Sequence, residues 1–546
     1  MKTPETLKRP FTSPSYIVGV VILFIGGIKW AWHLPGTMDI TFGDEAQYLR
    51  YGTDLFHTIK KDWGPSYNIW YKCLSLFQSN PVKLFYLNYQ VTGILIALVL
   101  YIFLIRYSIP SVISLWLSFC FLFSTTVIDT WPRVSHFAVI VLLLFLIAVK
   151  NSSSKAQKLL LVTLAFYMAA YARPELFSSF ILISMVTAYF LVKERSQFKS
   201  WLPVLIVVAL IILINFFIYQ LPANSYKGID RTYIAFSQHY AINYVIEHKA
   251  AFNPISEWID FAHKTFGDCT NFGCILKTHP EAVLHNSILN LQKYLLTLLQ
   301  FIINILFPTV IIGKKIIQFA VLVSLLAVVL LVSFHPTSRQ RFLEQARQHK
   351  LLLLILFLFG LPSMGASILI FPRQHYLLMH SLLIIFILAL LLNSISLIRR
   401  IHPLTAILLC SLLLMKSPDA KKYSYYQTDS DSKNQCNRKL VEYIALHNDR
   451  KPHTVFSNHL SLSMLLPENF SDFNTEYEYK PGMQFDGIVK EKKVDYIVIR
   501  PILLQEKLLN GDSTWLNFIK NPDAQGFSKT IYCDSCESYL LIKSQE

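Results

Sequence analysis

Charge is what this sequence has least of. Asp, Glu, Lys and Arg supply 15% of its 546 residues, against 53% hydrophobic ones and a mean hydropathy of +0.42. So little charge over so long a chain excludes an ordinary soluble globular protein. Acids are scarcer than bases, 34 against 50, which leaves a formal charge of +16. That excess does not argue for a nucleic-acid partner, because many Lys and Arg stand in short loops between apolar runs, where they set membrane orientation. Internal repeats and low-complexity tracts are absent. No small-residue cleavage site ends the first apolar run, "YIVGVVILFIGGIKWAWHL", which follows a basic leader with Lys2, Lys8 and Arg9. It therefore reads as a retained anchor and not as a removed signal peptide.

Present in abundance are apolar runs long enough, at about 20 residues, to cross a bilayer as helix. They recur from residue 16 to residue 415 and then stop. After the first, spans are expected at 84 to 105, 110 to 128, 136 to 149, 157 to 171, 177 to 192, 201 to 220, 316 to 334, 351 to 371, 376 to 394 and 402 to 415. The fold class expected is a polytopic α-helical membrane protein of about eleven crossings, with a small α/β soluble domain at its C-terminus. Residues 291 to 334 are long enough for two crossings, whereas the flanking loops demand an odd number. The reading adopted is one crossing at 316 to 334, preceded by an apolar helix on the outer surface and broken near Pro308. Basic loops at Arg106, Lys150/Lys155/Lys158, Lys193/Arg195/Lys199, "RQRFLEQARQHK" and Arg399/Arg400 all fall inside if the N-terminus is cytoplasmic.

The chain thus divides into a membrane module, residues 1–415, with outer loops 34–83 and 222–290, and an outer domain, residues 417–546. In that tail "NRKLVEYIALHN" has helical spacing, while "HTVFSN", "VDYIVIR" and "SYLLIKS" read as strands. Cys269/Cys274 and Cys533/Cys536 form close pairs in outer regions, where an oxidising compartment favours disulfides. Neither pair has the neighbouring ligands that a zinc site needs.

One stretch stands out at the exit of the first span: "TFGDEAQYLRYG", with adjacent acids Asp44 and Glu45. Alone, Asp44 reads as the cap of an amphipathic helix "EAQYLRYGTDLFHTI". The other outer span ends give it company. "WGPSYNIWYK" brings Trp63, Tyr67 and Lys72; "DTWPRVSHF" brings Asp129, Arg133 and His136; "YARPELF" brings Arg173 and Glu175; "FPRQHYLL" brings Arg373 and His375. Each Arg singly is explained by snorkelling to the interface. Jointly, the cationic residues and two carboxylates suit a pocket for an anionic head group.

The acidic pair within "DEAQY" resembles the GT-C glycosyltransferases, in particular the superfamily of protein O-mannosyltransferases and lipid A aminoarabinose transferases. Asp44, Glu45, Ala46 and Tyr48 fill its Asp-Glu-Ala-x-Tyr pattern after the first span. "PRVSHFAVIVLLLFLIA" and "YARPE" sit where that superfamily has a polar turn opening the fourth span and a basic residue with Pro ending the fifth. "WGPSYNIWYK" is similar to a bacterial subgroup. The likeness covers residues 15 to 200 in motif order.

The resemblance implies transfer of a sugar from a polyprenyl-phosphate donor to an extracytoplasmic acceptor hydroxyl or amine, with inversion. The residues suit that chemistry. A carboxylate near the acceptor serves as general base, here Asp44, and inversion dispenses with a second nucleophilic carboxylate. Arg133, Arg173, Lys72 and Arg373, in that order, are candidates for the departing phosphate. Tyr48, Trp63, Tyr67 and His136 are candidates to line the sugar or lipid, although aromatics at this depth also serve as interfacial anchors. Glu45 either orients its neighbour or ligates a divalent metal shared with the phosphate. His57, Glu175 and His136 are further donors that spacing does not select. Partners are then the lipid donor, membrane lipid and an acceptor protein, lipid or glycan. The subgroup resemblance implies a bacterial inner membrane. A lipid or sugar transporter or flippase without transferase chemistry is the alternative; it calls for ionisable groups near span centres, which here are Leu, Ile, Val and Phe.

Overall fold

A computed structural model describes residues 14–32, 34–57, 64–128, 132–152, 154–222, 225–226, 229–254, 257–308, 315–417, 434–480 and 482–544. The chain is mostly helical, 74%, with a small sheet near its C-terminus. Among the described residues seven helices are long and apolar enough to cross a membrane: Pro14–Thr37, Pro81–Arg106, Pro174–Lys193, Arg195–Tyr219, Pro280–Leu306, Lys350–Leu369 and Tyr376–Ser394. An eighth is added if Phe319–Phe334 and Pro336–Gln348, bent by 92° where Pro336 follows His335, count as one span. This is the build of a polytopic membrane protein.

Every run expected to span is helical, but several are short. Ser111–Leu122, Val134–Val149 and Pro403–Lys416 are apolar helices of under 18 residues, below the roughly 20 that cross without distortion. The first ends at Phe123 and Ser124, and only a four-residue helix, Thr125–Ile128, follows before the next span. The run from 291 differs from expectation in another way. It belongs to one 27-residue helix, Pro280–Leu306, which passes the spanning criteria itself. The polar stretch "HPEAVLHNSILN" continues into the apolar one without a breaker, and Pro280 at its first position starts the helix. Pro308 lies just beyond the helix end.

The chain forms two compact units. The first draws on Met1–Ala31, Ile59–Tyr67 and Gln90–Pro418; the second draws on Trp32–Thr58, Asn68–Tyr89 and Asp419–Glu546. The second unit therefore includes much of the segment between the first two long apolar helices as well as the tail. In the first unit the segment after residue 222 contains helices Arg231–His248, Trp258–Phe266 and Phe272–Thr278, packed around Phe236, Phe266 and Ile275. Asp230 starts this group as an N-cap, accepting from the Thr232 N–H at 2.9 Å and from the Phe272 N–H at 3.1 Å.

The tail of the second unit has five strands: β1 (His453–Ser457), β2 (Phe470–Asn474), β3 (Val494–Ile499), β4 (Phe527–Thr530) and β5 (Tyr539–Lys543). Their order is β2-β1-β3-β5-β4. β1 pairs in parallel with β2 and β3, and β5 pairs antiparallel with β3 and β4. Val494, Ile497 and Ile499 of β3 and Leu541 of β5 are buried with Phe485, Trp515 and Phe518, which form the aromatic side of this core. The three strands expected from sequence are β1, β3 and β5, and the helix expected at "NRKLVEYIALHN" spans Cys436–Leu446. β2 and β4 were not foreseen, because "FSDFN" and "FSKT" are short and half polar.

Candidate functional site: an acidic helix and a cluster of arginines

The acidic pair opens the helix Asp44–Thr53. Gly43, not Asp44, occupies the N-cap, with φ of 102°, a value a side chain would resist. Asp44 is the first helical residue and half-buried. The helix ends well short of the expected stretch, and Lys72 donates to the Thr53 carbonyl at 3.0 Å. Lys72 also lies 5.1 Å from the Phe56 ring, so its ammonium serves the helix C-terminus.

Glu45 is fully buried. Its Oε1 accepts from the Tyr71 hydroxyl at 2.5 Å and from Asn88 Nδ2 at 2.9 Å, while Asn88 Oδ1 accepts from Trp70 Nε1 at 2.8 Å. Tyr71 and Asn88 are themselves inaccessible. This is a connected polar network, and its geometry suits holding the helix rather than ligating a cation. Among the described residues the group of His, Cys, Asp and Glu close enough to hold a metal is Cys436, Cys533 and Cys536, and Glu45 is not in it. Glu45 Oε1 is thus engaged by Tyr71 and Asn88. Gly52 brings the helix close to its neighbour: a Cβ there would stand 2.4 Å from Tyr71 Cβ and 2.7 Å from the Asn68 carbonyl oxygen.

The same unit ties this helix to the tail. Gln47 Nε2 donates to Ser461 Oγ at 2.8 Å, and the Phe42 ring lies 4.5 Å from His459. Upstream, buried Asp39 accepts from the Asn437 and Arg438 N–H groups at 3.0 and 2.9 Å and so caps the Cys436–Leu446 helix. Burial pushes the Asp39 carboxyl up to about 7, against the pull of those N–H groups and of Arg500. Tyr48 is buried in this unit.

In the first unit the arginines divide. Arg133 is wholly buried. Its guanidinium donates to the Val127 carbonyl at 2.5 Å and the Ile128 carbonyl at 3.2 Å, and it approaches His136 Nε2 at 2.7 Å and the Trp30 ring at 5.7 Å. Those partners make it a clamp on the turn before Val134–Val149. Tyr67, also inaccessible, packs 5.5 Å from the Phe137 ring, so it belongs to the core. Trp63 lies outside the described residues.

Arg173 and Arg373 come together. Arg173 ends the Lys155–Ala172 helix, bonds Glu175 Oε1 through Nε at 2.7 Å and Nη2 at 2.6 Å, and sits 5.4 Å from the Tyr376 ring. The Tyr376 hydroxyl feels the charges of Arg173, Glu175, Arg373 and Arg231. Arg373 is exposed at the N-cap of Gln374–Ser394, with Nη2 2.5 Å from His239 Nε2. Burial, and then the charge of Arg373, push His239 down to about 4, so it faces the cluster as the neutral imidazole.

The turn that presents Arg373 is held by amides. Asn286 and Asn290 donate to the Leu369 and Ile370 carbonyls at 3.2 and 2.7 Å, and Asn243 joins both asparagines at 2.7 and 3.0 Å. These side chains satisfy carbonyls that the end of Lys350–Leu369 leaves open. Arg231, His239 and Tyr376, like Tyr71 and Asn88, escaped the sequence reading. For Asn88 a signal existed: an amide inside a long apolar run. Cys269 and Cys274 are disulfide-bonded, and Cys536 lies in bonding reach of both Cys533 and Cys436.

No protein-family model matches this chain, and no curated protein matches it either.

Proposed function

We propose that the chain is a bacterial inner-membrane glycosyltransferase of GT-C-like build, which moves a sugar from a polyprenyl-phosphate donor to an acceptor hydroxyl or amine on the extracytoplasmic side. The observation that supports this reading is Arg173, bonded to Glu175 and 5.4 Å from the Tyr376 ring, with Arg373 beside His239 at the start of the helix that carries Tyr376. Guanidiniums presented from helix ends suit a phosphate, which they bind through paired N–H groups. The Asp-Glu-Ala-x-Tyr likeness at Asp44–Tyr48 adds the chemistry.

In this reading the acceptor oxygen attacks the anomeric carbon while Asp44 takes its proton. The bond from the anomeric carbon to the phosphate oxygen breaks, and its electron pair leaves on the lipid phosphate. Charge developing on that phosphate is stabilised by cationic hydrogen-bond donors. Glu45 fixes the helix that carries Asp44 through Tyr71 and Asn88, and Arg133 holds the fold without touching the donor.

The test is incubation of the purified protein with radiolabelled polyprenyl-phosphate sugars and native membranes. Labelled acceptor together with freed polyprenyl phosphate supports transfer. Donors that bind but stay intact across a broad panel would refute it and leave the transporter reading.

A further inference from the structure

Three cysteines of the second unit meet where the tail begins and ends. Cys436 is the first residue of the Cys436–Leu446 helix, while Cys533 and Cys536 lie in the turn between β4 and β5. Their sulfurs all lie within 4.8 Å of one another. The Cα atoms of Cys436 and Cys536 are 5.8 Å apart, and those of Cys533 and Cys536 are 5.4 Å apart. Both separations fall in the range a disulfide spans without moving backbone. A sulfur forms one disulfide, so three such residues hold one bond and one thiol.

We propose that this triad is a thiol–disulfide exchange switch in which Cys536 pairs alternately with Cys436 and with Cys533. The Cys533 thiolate attacks Cys536 Sγ, the Cys436–Cys536 bond breaks, and the electron pair leaves on Cys436 sulfur, which takes up the proton that Cys533 gave. One disulfide and one thiol stand on each side of this step, so no oxidant or reductant is consumed. Lys439 Nζ lies 3.3 Å from Cys533 Sγ, placed to stabilise negative charge on the attacking sulfur. The same ammonium opposes a dication at that sulfur, and the cluster contains no fourth His, Cys, Asp or Glu among the described residues. Exchange therefore fits better than a zinc site, which takes four ligands.

The two isomers are not equivalent. The Cys436–Cys536 bond joins residues 100 apart and staples the helix to the turn before β5, whereas the Cys533–Cys536 bond, three residues apart, closes only the turn. That helix caps on Asp39, and Asn437 Nδ2 donates to the Ile40 carbonyl at 3.0 Å. Exchange thus changes how firmly the segment leading to Asp44 is tethered.

The experiment is thiol trapping of full-length wild type in detergent with N-ethylmaleimide, followed by denaturation and non-reducing peptide mapping by mass spectrometry. Cys269–Cys274 serves as the internal standard. Both linked peptides, Cys436–Cys536 and Cys533–Cys536, are expected in one preparation, with label divided between Cys533 and Cys436. In Cys436→Ser and Cys533→Ser the remaining pair should form completely. Lys439→Met at pH 9 should shift the ratio toward Cys533–Cys536, on the order of tenfold for a lost opposite charge. A single linkage with label on one cysteine, an unchanged ratio in Lys439→Met, or three labelled thiols after release of one equivalent of zinc would each overturn the proposal.

Discussion

Replacing Tyr71 by Phe deletes one oxygen and leaves the packing of an inaccessible ring in place. The hydroxyl donates to Glu45 Oε1 at 2.5 Å, inside a network that Asn88 completes. Leaving a buried acceptor without its donor costs about 1–3 kcal/mol. For a unit of about 150–250 residues each kcal/mol moves Tm by about 2–4 °C. Tyr71→Phe should therefore lower the unfolding temperature of the second unit by roughly 2–12 °C. Glu45→Ala removes the shared acceptor and leaves the Tyr71 hydroxyl and the Asn88 amide short of a partner, at a cost of about 1–3 kcal/mol for each. Because both changes break the same bond, the double variant should fall short of the sum by about 0.5–3 kcal/mol. Intrinsic tryptophan fluorescence of the full chain in detergent, followed on heating, reads the shifts. If Tyr71→Phe melts with wild type, or if the two changes add completely, the network does not hold the acidic helix.

Further outcomes follow from the same contacts. Gly52→Ala puts a methyl group 2.4 Å from Tyr71 Cβ, so the two helices must part, and the thermal melt should show a loss of about 1–3 kcal/mol. Asp512 accepts from the Tyr479 hydroxyl at 2.5 Å and from the Phe485 and Thr514 N–H groups at 2.6 and 2.8 Å. Asp512→Ala should cost the tail about 2–4 kcal/mol in denaturant melts. Burial works against ionisation of Asp512, but those hydrogen bonds outweigh it and hold the carboxyl below its ordinary 3.8. The stability it contributes is present above that value and lost as pH falls below it. His239 titrates down to about 4 from its ordinary 6.5, so the unfolded chain binds its proton first. Its contribution is complete above 6.5 and declines as pH falls toward 4, and His239→Asn should flatten the fall in Tm of the first unit over that window.

Much of the fold was legible because burial in lipid writes itself as long apolar runs. The helices lie where hydropathy puts them, and β1, β3 and β5 where β-branched and aromatic residues alternate. What could not be read is where a helix stops being long enough: Phe123 and Ser124 interrupt a run whose composition stays apolar. Nor could the run at 291 reveal that its helix begins at Pro280, since polar residues there face amide and carbonyl partners rather than water. Of the site, the sequence marks Asp44 and Glu45 by position, and Arg173 and Arg373 by their place at span ends. It does not separate the two arginines from Arg133, which also stands at an expected span end but whose guanidinium is engaged by carbonyls six and five residues earlier. Arg231 and Tyr71 reach their partners only through tertiary contacts, which spacing along a chain does not carry.

The decisive comparison is single-turnover transfer by wild type and Asp44→Asn, purified in parallel, with donor binding and Tm measured on both. Wild type should label the acceptor, while the Asn variant, folded and still binding donor, should lose about 10²–10⁴-fold in rate, the usual contribution of a general base. Equal rates in the two proteins would make Asp44 a helix-opening residue and remove the chemistry from the acidic helix.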